Sequence, residues 1–131
     1  MTPDHLRAVL REYRSLCAAG TEPRRLPPEE YDKFFERDSE SVRHARSHLA
    51  WMCVEADKFV KEGRIEKAMR WLGFIQGCLY CLTVKTLNEL RDDSKPATGM
   101  DSIREAEDNR CLDALDEAAV KAAPVIDKDP K

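Results

Sequence analysis

WLGFIQGCLYCLTVKTLNEL, Trp71 to Leu90, is the most apolar stretch of the chain, and its reading decides the fold. From Trp71 to Val84 only Gln76 and Thr83 carry clearly polar side chains. The run falls short of the roughly twenty apolar residues that a membrane helix needs, so its burial is expected within protein. Its spacing is helical. Ile65, Ala68, Met69, Leu72, Ile75, Leu79, Leu82, Thr86, Leu87 and Leu90 recur every three or four positions, which predicts one helix over 64–93, ended by Ser94-Lys95-Pro96. A second apolar set, Trp71, Phe74, Cys78 and Cys81, occupies an adjoining face and requires a further neighbour, either the first helix or another copy of the chain. Gln76, alone in the run, is expected to bond across a helix interface and fix its register.

The segment before this helix is its natural partner. Val42, Ala45, Leu49, Met52, Cys53, Ala56, Phe59 and Val60 alternate at three- and four-residue spacing, a seam over a helix at 39–62. Gly63 suits a tight reversal, because glycine tolerates the left-handed conformation at a helix end. An antiparallel hairpin follows. A first helix over 3–19 is capped by Thr2, carries Pro3 at its first position and ends at Gly20; Leu6, Val9, Leu10, Tyr13, Leu16 and Cys17 form its apolar stripe. Arg7, Arg11, Glu12 and Arg14 cover its other side.

A proline-rich connector, 20–38, holds a short helical turn that brings Tyr31, Phe34 and Phe35 together, either as a lid on the core or as a ligand platform. Ser102-x-x-Glu105 is a capping box that opens a last helix over 102–122, with a weak stripe of Ile103, Ala106, Leu112, Leu115, Ala119 and Ala122. Residues 1–123 thus read as one all-α domain, a bundle of three or four helices built on the long hairpin, with a disordered tail at 124–131.

Net charge is −3, and it is unevenly spread: residues 88–131 hold twelve acidic against seven basic side chains. That acidic third argues against broad nucleic-acid binding, which needs a basic surface to displace counterions. Five cysteines, with no secretory leader read ahead of them, suggest free thiols in a cytoplasm.

Several patterns bear on chemistry. Gly73 and Gly77 form Gly-x-x-x-Gly, and each costs roughly 1 kcal/mol of helix propensity against alanine. A close backbone approach is expected to offset that, within the chain or across a homodimer seam. Cys78-x-x-Cys81 lies within a helix among apolar neighbours, away from the helix N-terminus that a redox pair uses. His44 and His48, with Cys53 nearby, are a conceivable metal or DNA-binding regulator site, but zinc requires four ligands. Glu89-x-x-Asp92 followed by Asp93 is similar to the magnesium carboxylates of all-helical nucleotide pyrophosphohydrolases. The clustered glutamates that those enzymes place opposite are not reproduced by Glu55, Glu62 and Glu66, nor by Glu29, Glu30 and Glu36 in the connector. No phosphate-cradling glycine loop, nucleophile elbow or dinucleotide fingerprint is present.

The block from His44 to Pro96 resembles small accessory proteins encoded by tailed bacteriophages and prophages. The matching residues are His44-Ala45-Arg46, Trp51-Met52-Cys53, the run from Glu66 to Gly77 and the run from Leu87 to Pro96. The resemblance covers about two-fifths of the chain. It implies a host bacterial cytoplasm and a protein that binds a host or defence protein, inhibiting or redirecting it. It transfers no catalytic or binding residue.

The expectation is therefore a non-enzymatic homodimer acting by protein–protein contact, with no cofactor, metal or membrane. Trp51, Trp71, Gly73, Phe74, Gly77 and Tyr80 are its interface residues, since buried aromatics dominate interface energy. The alternatives are a magnesium-dependent nucleotide pyrophosphohydrolase using Glu89 and Asp92, and a metal- or DNA-binding regulator using His44, His48 and the cysteines.

Overall fold

The computed structural model describes residues 1–18, 22–34, 36 and 38–122. The expected stop at Gly20, the ring of Phe35 and the expected tail at 124–131 lie outside these residues. Among the described residues the chain is all-helical: α1 (Pro3–Ala18), α2 (Ser39–Lys61), α3 (Ile65–Cys81), α4 (Leu87–Asp93) and α5 (Gly99–Ala122), with a short 3-10 helix at Pro28–Lys33. No described helix is long and apolar enough to cross a membrane.

α1 and α2 begin where side-chain acceptors meet free backbone N–H groups. Thr2 Oγ1 accepts from the His5 N–H at 3.1 Å, and Asp38 Oδ1 from the Ser41 N–H at 3.0 Å. The α1 and α2 stripes then do what their spacing implies. Leu6, Leu10, Tyr13 and Cys17 of α1 are buried with Leu49, Cys53 and Ala56 of α2, and with Leu72, Ile75 and Leu79 of α3. Each leucine or isoleucine so enclosed contributes about 1.5–3 kcal/mol relative to exposure. Gln76 donates to Tyr13 Oη (3.2 Å) and to Ser94 Oγ (3.0 Å), bridging α3, α1 and the end of α4.

The helix expected over 64–93 is two helices. α3 ends at Cys81, and a turn separates it from α4. The turn repeats the one that ends α2. There, Gly63 (φ +83°) donates to Val60 O and Arg64 donates to Phe59 O. At the second site Thr83 (φ +59°) donates to Tyr80 O and Val84 to Leu79 O. This pair of hydrogen bonds defines a Schellman turn, which normally uses glycine at the left-handed position. α4 restarts at once through a capping box: Thr86 Oγ1 accepts from the Glu89 N–H at 3.2 Å, and Glu89 Oε1 from the Thr86 N–H at 2.8 Å.

α5 also departs from expectation. It begins at Gly99, so Ser102 and Glu105 lie inside it instead of capping it. Its apolar stripe faces out, with Ile103, Leu112 and Leu115 all exposed. The docking face is polar, because α1 offers it guanidinium groups. Arg7 donates to both Asp113 carboxylate oxygens, at 3.0 and 2.6 Å, and to Asp57 Oδ1 at 2.8 Å. Arg11 donates to Asn109 Oδ1 at 2.6 Å and to Asp113 at 3.2 Å. Asn109, only 2% exposed, completes its bonding through Asp4. Arg7, expected on the solvent side of α1, is buried in this interface.

Candidate functional site: an aromatic cleft and an open strip on α3

The residues expected at an interface fall into two neighbouring places. Trp51, Trp71 and Phe74 line a cleft of about 560 Å³, whose walls also include Tyr31, Phe34 and His48. α2 supplies His48 and Trp51 one turn apart, α3 supplies Trp71 and Phe74, and the 3-10 helix closes one end with Tyr31. The rings run as a continuous row: Phe34 to His48 at 5.7 Å, His48 to Trp51 at 5.5 Å, Trp51 to Trp71 at 6.0 Å, Trp71 to Phe59 at 4.9 Å. These separations lie in the range where aromatic pairs attract beyond simple burial. Phe34 therefore both joins the core and lines the cleft, while Tyr31 only lines it. Phe34 is buried, and Tyr31 stays exposed.

Cations ring this row. The Arg25 guanidinium sits over Trp51 at 5.5 Å, Lys67 over Phe59 at 4.5 Å and Arg64 over Phe59 at 5.1 Å. Arg25 and Arg70 line the cleft, and among the described residues neither has a carboxylate partner. His48 is set at the cleft wall by the connector: its Nδ1 accepts from the Leu26 N–H at 2.9 Å. Burial, followed by the charge of Arg25, pulls its pKa below the ordinary histidine value. The neutral ring thus carries its hydrogen on Nε2.

Gly73, Gly77 and Tyr80 form the second place, along the outer face of α3. Of the two neighbours expected for the glycines, within the chain or in a second copy, the described residues supply none. A Cβ at either position would meet nothing within 4 Å. Met69, Phe74 and Tyr80 flank them at 45, 50 and 52% exposure. The second apolar set of α3 is therefore divided: Cys78 enters the core, Trp71 and Phe74 turn to the cleft, and Cys81 is exposed.

The other candidate groups are engaged elsewhere. The Thr86 backbone N–H, and secondarily its hydroxyl, hold the Glu89 carboxyl below the usual carboxylate range. Asp92 pairs with Lys95 at 3.1 Å, and Asp93 accepts from Tyr13 Oη and from Lys85 Nζ, both at 2.7 Å. Cys78-x-x-Cys81 closes the C-terminal end of α3, and burial pushes the Cys78 thiol up to about 12. Among the described residues no three His, Cys, Asp or Glu side chains are grouped to hold a metal ion.

Arg25 and Arg70 are the cleft residues that the spacing arguments missed. The signal was faint: Arg25 lies in a proline-rich connector and Arg70 beside an apolar run, and only the folded chain brings them together. No protein-family model, no curated protein and no solved structure matches this chain.

Proposed function

We propose that the chain is a non-enzymatic binding protein of the phage accessory type, working by protein–protein contact in a host bacterial cytoplasm to inhibit or redirect a host or defence protein. The observation that supports this reading is the uncovered strip on α3. Two glycines one turn apart, each disfavouring the helix by roughly 1 kcal/mol, have no neighbour among the described residues to offset them. Flat positions at this spacing allow a second helix backbone to approach closely, as they do in membrane helix pairs. On this reading α2 and α3 form the antiparallel hairpin of a helical bundle and hold the strip rigid. A second copy of the chain is its first occupant, and Phe74 and Tyr80 anchor the contact.

Light scattering across micromolar concentrations tests this directly. The wild-type chain should be a dimer, and Gly77→Leu a monomer. Because the position is open and leucine favours helix, the Gly77→Leu monomer should melt no lower than wild type. A wild-type monomer throughout the range removes the homodimer. The host-binding reading is then tested by affinity capture, in which Phe74→Ala with Tyr80→Ala should lose a specific host protein retained by wild type.

A further inference from the structure

The cleft between the 3-10 helix, α2 and α3 has chemistry that the protein-contact reading does not use. Its volume, about 560 Å³, lies within the range of small-molecule sites, which are mostly apolar with a few convergent polar groups. Here the apolar part is aromatic. The Trp51 and Trp71 rings, 6.0 Å apart and inclined at 45°, and the side chain of Phe74 offer surfaces against which a ring system can pack. The polar part is uniformly donating. Arg25 and Arg70 stand at the walls without a carboxylate partner among the described residues. His48 is only 7% exposed, its Nδ1 is taken by the Leu26 N–H, and no described acceptor pairs with its Nε2–H.

By contrast, the two arginines that α1 carries into its contact with α5, Arg7 and Arg11, have their acceptors in place in Asp57, Asp113 and Asn109. Donors at the wall of an aromatic cleft that the chain itself leaves without an acceptor are available to one that arrives with a ligand. Guanidinium groups recognise planar anions bidentately, carboxylate and phosphate alike.

We infer that this cleft binds a small molecule consisting of a flat apolar ring system with one anionic group, the ring against Trp51 and Trp71, the anion between Arg25 and Arg70, and an acceptor atom on His48 Nε2–H. A cation of similar shape is disfavoured by the same two guanidinium groups.

The chain supplies its own reporters, because its only two tryptophans are the two that line the cleft. Full-length protein, labelled with nitrogen-15, is titrated with 2-naphthoate, adenosine monophosphate, and the uncharged 2-naphthylmethanol and adenosine, following both indole N–H signals. Saturable shifts of both signals are expected with an anionic probe, at an affinity at least tenfold above its uncharged analogue. Naphthoate binding alone identifies a carboxylate ligand, and tighter adenosine monophosphate a phosphate ligand; both support the site. The Arg25→Gln, Arg70→Gln double variant, whose helical circular dichroism should match wild type, should lose that tenfold preference. Equal affinity for charged and uncharged probes overturns the inference, as does the absence of saturable shifts with every probe. A preference that survives in the double variant overturns it too. Phe74 borders both places, but the double variant alters only Arg25 and Arg70 and leaves the glycine strip intact, so the loss of the anion preference and the loss of the dimer are read separately.

Discussion

Arg7 and Arg11 on one side of the molecule, and Arg25 and Arg70 on the other, are the same chemical group in opposite circumstances. Arg7 has a 10% exposed side chain and three carboxylate hydrogen bonds across α1, α2 and α5. Arg25 and Arg70 are exposed, line the aromatic cleft, Arg25 over the Trp51 ring, and have no carboxylate partner among the described residues. The first pair is a means of attaching a helix. α5 has almost no apolar contact face to offer, so charge matching replaces hydrophobic burial there. The second pair contributes nothing of that kind to the fold. What distinguishes structural from available charge in this protein is whether the chain supplies the counter-charge.

Replacing Arg7 should show the difference most strongly. Arg7→Met keeps the bulk but leaves Asp57 and Asp113 without their main donor. Removing one partner of a buried pair typically costs 3–5 kcal/mol. Arg11 and Lys61, at 3.2 and 3.1 Å from Asp113, remain to soften the loss. We therefore expect about 2–3 kcal/mol from urea unfolding, at or just below the lower end of that range. Arg70→Gln, on the exposed side, should change stability by less than about 0.5 kcal/mol. Equal effects of the two substitutions would erase the distinction.

Acid should act on the same side. Arg7 holds the Asp113 carboxyl well below the usual range, its burial opposes this, and Lys61 adds to it. A carboxyl with a depressed folded pKa contributes stability that is fully present above its unfolded value of about 3.9 and is lost as pH falls through and below it. With Asp113 side-chain exposure at 32%, solvent screening limits the contribution to on the order of 1 kcal/mol. Thermal melts between pH 7 and pH 2 should show wild type losing this increment below about pH 4, and Asp113→Asn losing less over the same interval. Parallel curves would mean that the ion cluster does not couple folding to proton uptake.

The contrast was only partly legible in the sequence. The seam of α2 was readable, because Ala45, Leu49, Met52, Cys53, Ala56 and Val60 bury with the periodicity that their spacing states. Of the aromatic residues that the sequence put forward together, Trp51, Trp71 and Phe74 line one cleft and Tyr80 lies outside it, a division that their spacing does not state. The docking of α5 was not readable. Its decisive contacts join residues about a hundred positions apart, Arg7 to Asp113 and Arg11 to Asn109, and periodicity carries no information on which charges will meet. The weak stripe of α5 attracted attention to Leu112 and Leu115, whereas Asn109 and Asp113 do the docking. The glycine strip misled differently. Two glycines in an apolar helix imply a close neighbour, in the chain or in a second copy, and among the described residues nothing lies within 4 Å of a Cβ at either position.

The break between α3 and α4 was missed because its turn uses the wrong residue, and that is itself testable. The turns at Gly63 and Thr83 have the same two closing hydrogen bonds and φ of +83° and +59°. Glycine adopts this conformation freely, whereas a side chain there costs roughly 1–2 kcal/mol, and a β-branched one is a genuine outlier. Thr83 recovers part of that through its hydroxyl, which donates to Leu82 O at 2.6 Å. Thr83→Gly relieves the strain but loses that bond and enlarges the entropy of the unfolded chain, so its net gain should stay below about 1 kcal/mol. Thr83→Asn should match or exceed it, because asparagine tolerates the left-handed region without glycine's freedom when unfolded. Chemical unfolding of both variants decides the matter. If both prove less stable than wild type, Thr83 is not strained, and the threonine is favoured at this turn by contacts that glycine and asparagine do not make.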